Sequence, residues 1–338
     1  MRKLASIQKI RSLEPIEGAD AIEKATVLGW QLVVKKGEFK PGDLAVYCEI
    51  DSLMPERPEF EFLKPRKMRI RTVRLRGQVS QGICFPLSIL PDDFPAEEGA
   101  DCTEVLGITK YEAPIPANLS GIAKGKFPGF IPKTDETRVQ NMQKALDKYK
   151  GTPCYITEKL DGSSATFYLN KGDFGVCSRN LDLLEDEKNT FWKMARQLEI
   201  EKKLLSTGGN IALQGELIGE SIQSNKLKIR GQDVRFFSAW DIDKRRFFNF
   251  EELKDLLLQL DLEMVPVVND HYILDNDIDA IVQMSVIKSA INPKTWAEGI
   301  VIRPLQEISD VFLLNENLTD GRLSFKAVNP EFLIKYGE

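Results

Sequence analysis

The chain is short of the residues that most proton-transfer and soft-metal chemistry relies on. Its 338 residues include a single histidine, His271, which argues against histidine-based catalysis or a histidine-rich metal centre and leaves an ordinary surface or turn residue as the expectation. Five cysteines (Cys48, Cys84, Cys102, Cys154 and Cys177) are odd in number, widely spaced and without a CxxC pair. That pattern speaks against a disulfide frame or thiolate zinc site and for a reducing, intracellular setting. No apolar run approaches a membrane span, and the opening "MRKLASIQKI" lacks the apolar core of a signal peptide. Repeats and low-complexity segments are absent. A basic excess is missing too: 46 Lys and Arg against 51 Asp and Glu give a net charge of −5, which does not advertise a nucleic-acid binder. What remains is an ordinary soluble globular composition, long enough for two domains. A monomer is expected.

The local distribution of charge says something different. "KPRKMRIRTVRLRG", Lys64 to Gly77, holds seven Lys and Arg and no acid. Its alternating part reads as a strand, Arg69–Arg76, with arginines on a solvent face. Two readings are open: an edge guarded by charge, or a phosphate-backbone footprint formed by Arg69, Arg71, Arg74 and Arg76. Concentration in one element of an acidic chain favours the footprint.

Residues 1–107 read as short strands punctuated by turns such as "KPGD". The expected strands are Leu4–Leu13, Glu23–Val27, Gln31–Lys36, Leu44–Ile50, Arg69–Arg76 and Gly82–Leu87. Six strands without a long helix suggest a small barrel, and an OB-fold is the commonest such module that touches nucleic acid. Residues 108–132 form a Pro/Gly-rich connector, a linker or a strap. At "TDETRVQNMQKALDKY" the period turns helical, with Thr134 or Thr137 as N-cap. From there to residue 338 strands and helices mix: strands at 155–160, 164–170, 173–179, 210–218, 234–242, 298–303 and 322–328, helices at 190–205, 250–260 and 278–291. Asn249 and Glu252 have capping-box spacing. The fold class is therefore α+β, a barrel followed by a domain of antiparallel sheets flanked by helices.

Five segments of the second domain place charge where a simple core would have none. "EKLDG" (Glu158–Gly162) sets a lysine at a strand end before an Asp-Gly turn; "CSRN", "LQGELIG", "EGIVIR" and "LSFKAV" carry Arg179, Glu216, Glu298 with Arg303, and Lys326. Taken singly, each has an ordinary surface or cross-strand explanation. Taken in order, with the aromatic strand "RFFSAWDI", they resemble the covalent nucleotidyltransferases, which comprise ATP-dependent RNA and DNA ligases and mRNA capping enzymes.

The resemblance implies that Lys159 is the nucleophile that takes AMP from ATP. The residue types suit that chemistry. A lysine attacks phosphorus only when neutral, and a free one is almost wholly charged at neutral pH. Lys326 is the neighbouring cation that would depress its pKa and offset charge on the α-phosphate. Asp161, Glu216 and Glu298 are hard ligands for Mg²⁺ or Mn²⁺, directly or through water. The nucleotide contacts implied are Glu158, Lys159, Arg179, Glu216, Trp240, Glu298, Lys326 and Arg138. Trp240 precedes the strand's Asp and would stack on adenine; Arg138, on its predicted helix, would meet pyrophosphate or the RNA 5′-phosphate. Alternation puts Phe236, Ser238 and Trp240 on one face and Phe237, Ala239 and Asp241 on the other.

Domain order narrows the family. The barrel precedes the transferase domain and only twelve residues follow Lys326, which resembles the fifth family of RNA ligases. That family implies sealing of 5′-phosphate and 3′-OH ends at nicks in duplexes, with RNA on the 3′-OH side. One departure stands out: many relatives carry Lys-x-Lys in the last motif, whereas Ser324 and Val328 stand on either side of a single Lys326. A second cation must then come from Lys226, Lys228 or Arg303. The alternatives are a DNA ligase, or an end-binding protein with a vestigial transferase fold.

Overall fold

A computed structural model describes residues 3–111, 123–316 and 318–337. Residues 112–122 of the Pro/Gly-rich connector lie outside the described residues. The chain forms two compact units, one of residues 3–111 with 330–337 and one of 123–329.

The first unit is a five-stranded antiparallel, nearly closed barrel. Its strands are β1 (Ala5–Pro15), β2 (Ile22–Val27), β3 (Trp30–Lys35), β4 (Leu44–Cys48) and β5 (Ile83–Phe85), in the order β3-β2-β1-β4-β5. The eleven-residue β1 serves both halves because a bulge between Ile10 and Ser12 bends it. Alternate residues Ile7, Ala25, Val27, Leu32, Ala45 and Tyr47 close the core around Trp30. The basic stretch is not one strand. Lys67 and Met68 take left-handed backbone (φ 53° and 59°) so that Met68 and Ile70 can be buried; Arg69 then forms an isolated bridge with Leu53, and a separate strand pair follows at Val73–Leu75, opposite Gln78–Ser80. The chain closes with α-helix Pro330–Tyr336, which buries Phe332 and Leu333.

The second unit holds two sheets. The seven-stranded one runs Ala123–Lys126, Leu181–Leu183, β8 (Asp173–Cys177), β7 (Ser163–Asn170), β9 (Ile211–Gly219), β10 (Gln232–Asp241) and Arg246–Phe247. The five-stranded one runs Thr137–Arg138, β13 (Phe325–Val328), β12 (Gly299–Pro304), β6 (Pro153–Lys159) and β11 (Val267–Ile273). One face of the first sheet buries Ala165, Phe167, Leu213, Leu217 and Ala239 against helices Thr190–Gln197, Ile200–Thr207 and Phe250–Gln259. One face of the second buries Cys154, Ile156, Ile300, Ile302 and Phe325 under helices Gln143–Tyr149 and Ile278–Met284. The opposite faces carry polar residues together with a smaller apolar cluster of Ile131, Tyr168, Cys177 and Ala212.

Several expected elements change. Neither Thr134 nor Thr137 caps a helix: the helix starts at Gln143, and Thr137–Arg138 pairs in parallel with Phe325–Lys326. The helix expected at 190–205 breaks at Glu199, which sits at φ 50°. The one expected to reach 291 ends at Met284. The capping box at Asn249 forms as read, with the Asn249 N–H donating to Glu252 Oε2 at 2.8 Å. β11 was not expected; it is an almost wholly exposed edge strand without apolar alternation. A bulge inserts Phe237 into β10, because Gln214 pairs with Ser238 but Gly215 pairs with Phe236. Phe236 therefore joins Ala239 in the core, and Phe237 packs with Leu160, Leu227 and Val265 instead, overturning simple alternation.

Candidate active site

β6 alternates Cys154 and Ile156 into the core, so Tyr155, Thr157 and Lys159 take the other face. Lys159 ends this strand opposite Gly299, in a register that places the neighbouring Glu298 at its amine: Nζ lies 2.6 Å from Glu298 Oε2. Two glycines keep the backbones this close. A Cβ at Gly299 would stand 2.2 Å from the Ala327 carbonyl oxygen, and one at Gly162 would stand 2.3 Å from that of Leu217. On the facing sheet, cross-strand pairs put Ser164 beside Glu216, Thr166 beside Gln214, and Tyr168 beside Ala212, which in turn pairs with Trp240. Glu216, Gln214, Ala212 and Trp240 thus line one face, with the acid at one end and the indole at the other.

Lys326 comes from β13, opposite Val301 and beside Arg138 on the short parallel strand. Arg138 is on a strand rather than the predicted helix, and the pairing sets it next to Lys326. Residues 127–138 are tethered step by step across this region. Trp240 Nε1 donates to the Phe130 carbonyl at 3.1 Å, Gln214 Nε2 to that of Pro132 at 2.7 Å, and Thr134 Oγ1 lies 2.7 Å from Ser164 Oγ. Arg179 pairs with Asp135, and Arg303 with Glu136 at 2.8 Å.

The charges are strongly coupled. Burial pushes the Glu216 carboxyl up to about 8; Lys159 pulls it back, while Glu298 and Asp161 add to the rise. Burial alone would lower Lys159, but Glu298, Glu216 and Asp161 together outweigh it and hold the amine protonated. Burial, then the charges of Lys159 and Arg138, bring Lys326 down to about 7. A divalent ion among these carboxylates would relieve their repulsion and release Lys159. Among the described residues, no three His, Cys, Asp or Glu side chains converge as a direct metal cage. Asp161, Glu216 and Glu298, all coupled to the Lys159 amine, offer the hard oxygen donors that suit a small cation which keeps most of its waters.

Stability should report the Glu216 shift. Between its ordinary 4.5 and about 8 the folded state keeps a proton that the unfolded chain has lost, so this group makes stability fall as pH rises through that window. Glu216→Gln should flatten the fall, as read by urea unfolding at a series of pH values. An unchanged slope would mean that Glu216 ionises normally.

The structure brings Lys159, Asp161, Glu216, Glu298, Lys326 and Arg138 together. Arg179 lies close enough for its charge to act on Glu216. Glu158 is not part of this cluster: it sits on the opposite face of β6, buried, and its Oε2 accepts from the Ala290 N–H at 2.8 Å. Of the proposed second cations, Lys228 is exposed, Lys226 is bound to Asp161, and Arg303 is buried with its Nε donating to Ser324 Oγ at 2.9 Å. Sequence reasoning missed Glu136, which lies in the "TDETRVQN" stretch just after the strap and carries no signal of its own. In the barrel unit, Arg69 pairs with Asp51 and lies 3.8 Å above the Tyr111 ring, Arg71 donates to the Gly337 carbonyl, and Arg74 pairs with Glu331 at 2.5 Å. Arg76 is exposed at the hairpin turn.

A barrel of OB type, followed by two sheets that set a strand-end lysine among carboxylates, defines an OB-fold joined to a nucleotidyltransferase domain. Comparison with known proteins agrees. An OB-fold domain model matches residues 4–87, and the model of the RNA ligase family matches residues 152–328. This chain belongs to the RNA ligase family. Naegleria gruberi RNA ligase with PPi is 40% identical, with a TM-score of 0.88 over 100% of this chain and 99% of that one. A mutant of that ligase with ATP and Mn is 40% identical with a TM-score of 0.88, and another with AMP and Mn is 40% identical with a TM-score of 0.87. Each of these two covers 98% of both chains. No curated protein matches. Among the described residues, no helix is long and apolar enough to cross a membrane.

Proposed function

We propose that this RNA ligase joins a 5′-phosphate to a 3′-OH through an AMP held on Lys159, at nicks in duplexes with RNA on the 3′-OH side. The observation that carries the reading is the Lys159 amine, 2.6 Å from Glu298, in a carboxylate cluster that also holds Lys326. ATP is the co-substrate in this reading, supported by the relatives with ATP and AMP.

Lys159 first gives up a proton, for which Glu298 is the nearest acceptor. Its lone pair attacks the α-phosphorus; a P–N bond forms, the bond to the bridging oxygen breaks, and pyrophosphate leaves with that electron pair. Lys326, with Arg138 beside it, holds the α-phosphate and offsets the charge that builds on it. Arg303, fixed by Glu136 and Ser324, supplies positive charge where relatives have a second lysine. A divalent ion held through Asp161, Glu216 and Glu298 supplies Lewis-acid charge neutralisation when bound. Trp240 lies four residues along the sheet face from the row of Glu216, so a base stacked there points its phosphate toward the cluster. A 5′-phosphate oxygen of the nick then attacks the AMP phosphorus, the P–N bond breaks, and the amine regains a proton. Finally the 3′-OH loses its proton as it attacks the activated phosphate, and AMP departs. Arg76, exposed at the hairpin turn, is the arginine best placed to grip duplex phosphates, whereas Arg74 is engaged with Glu331. The enzyme acts as a monomer in this reading.

The test is a pair of nicked duplexes that differ only in the sugar at the 3′-OH end, given with ATP and Mn²⁺. Sealing of the RNA 3′-OH nick well ahead of the DNA one is expected. Equal or reversed rates would favour a DNA ligase, since ribose 2′-OH contacts are what separate the two. Label uptake from ATP without any sealing would count against both.

A further inference from the structure

Lys226 reaches the turn after the nucleophile from a long way off in sequence, and it is built to do so. Its Nζ lies 3.1 Å from Asp161 Oδ1, and the two side chains are only 8% and 10% exposed. The segment that delivers it, between β9 and β10, holds Ser221, Gln223, Asn225 and Lys228 in left-handed backbone, at φ of 65°, 48°, 43° and 54°. Each such non-glycine position costs energy, so the surroundings must fix it. They do: Asn225 bonds the Ile229 N–H and carbonyl, Asn292 Nδ2 donates to the Leu227 carbonyl at 2.9 Å, and Leu227 is buried beside Leu160. Gln223 Nε2 also donates to the Gly162 carbonyl at 3.3 Å, so this segment reads the Asp161–Gly162 turn at two points.

We infer that Lys226 is an internal counter-ion which stands in for the divalent cation while the carboxylate site is empty. The inference rests on the metal reading of Asp161 given above. A buried carboxylate beside Glu216 and Glu298 needs positive charge nearby in the absence of metal, and Lys226 provides one unit of it on a flexible four-carbon stem. A cation arriving at Asp161 must either displace that ammonium or bind against its repulsion. Lys226 thereby weakens metal binding by the empty enzyme and keeps the site ordered until nucleotide and metal arrive together.

The test measures Mn²⁺ binding to nucleotide-free protein from the EPR signal of the free ion, a readout independent of ligation. Lys226→Met and Lys226→Gln should bind Mn²⁺ about tenfold or more tightly than wild type, because a like charge beside the site has gone. Lys226→Arg, which keeps the charge, should bind as weakly as wild type. Adding Asp161→Asn to Lys226→Met should abolish the gain. Equal or weaker Mn²⁺ binding by both neutral variants, with wild type still binding, overturns the counter-ion proposal alone. Wild type, Lys226→Met and Lys226→Gln that all bind no Mn²⁺ overturn it together with the metal site.

Discussion

Lys159→Ala, given ATP labelled in its α-phosphate and Mn²⁺, should acquire no covalent label, a loss on the order of 10⁴-fold or more for removal of an essential nucleophile. The same variant should still seal a nick whose 5′ end is supplied already adenylylated. The final attack on that activated phosphate uses no P–N bond, so the amine is needed only for charging and transfer. This split separates loss of the nucleophile from general damage: a misfolded protein fails on both substrates. The substitution leaves Glu298 and Asp161 without the Lys159 charge, so unfolding curves should accompany the assay. Label retained by Lys159→Ala would place the nucleophile elsewhere and remove the basis for the mechanism.

Lys326→Met should slow AMP transfer from ATP by roughly 10²–10³-fold, the scale for losing a preorganised charge at a reacting phosphate. It should also move the pH dependence. A cation beside Lys159 favours the neutral amine, so removing Lys326 lets the Lys159 pKa rise, and the rate should go on increasing to higher pH than in wild type. The empty enzyme holds Lys326 down to about 7, under burial and the charges of Lys159 and Arg138. Anionic phosphates placed beside it would favour its protonated form, so wild type is expected to gain from this cation even above neutrality. Single-turnover label uptake across a pH series reads both effects. A slower variant with an unmoved profile would mean that Lys326 binds phosphate without tuning the nucleophile.

Lys159, Glu216 and Lys326 sit on strands, and Glu298 directly before one; each was legible because its neighbours form a short recognisable string. The Asn249 capping box and the barrel strands were legible for the same reason. The rest depends on pairings that no local pattern records. Thr137–Arg138 is a two-residue strand, too short for any period, and only its partner Phe325–Lys326 makes it one. The bulge at Phe237 shifts which aromatics share a face, although alternation continues on either side of it. β11 lies at a sheet edge with almost no buried residue, so it carries no apolar signal. The Lys226–Asp161 and Arg303–Glu136 pairs join residues distant in sequence, and their meaning appears only when the chain is folded. Arg71 and Arg74 read as a solvent-facing stripe, yet they meet the closing residues Gly337 and Glu331.

The most direct measurement is peptide mapping by mass spectrometry of wild-type protein charged with ATP and Mn²⁺ in the absence of RNA. The account predicts a single acid-labile AMP adduct, on the peptide that contains Lys159. An adduct confined to another side chain, or a protein that stays unmodified while it seals nicks, would contradict it.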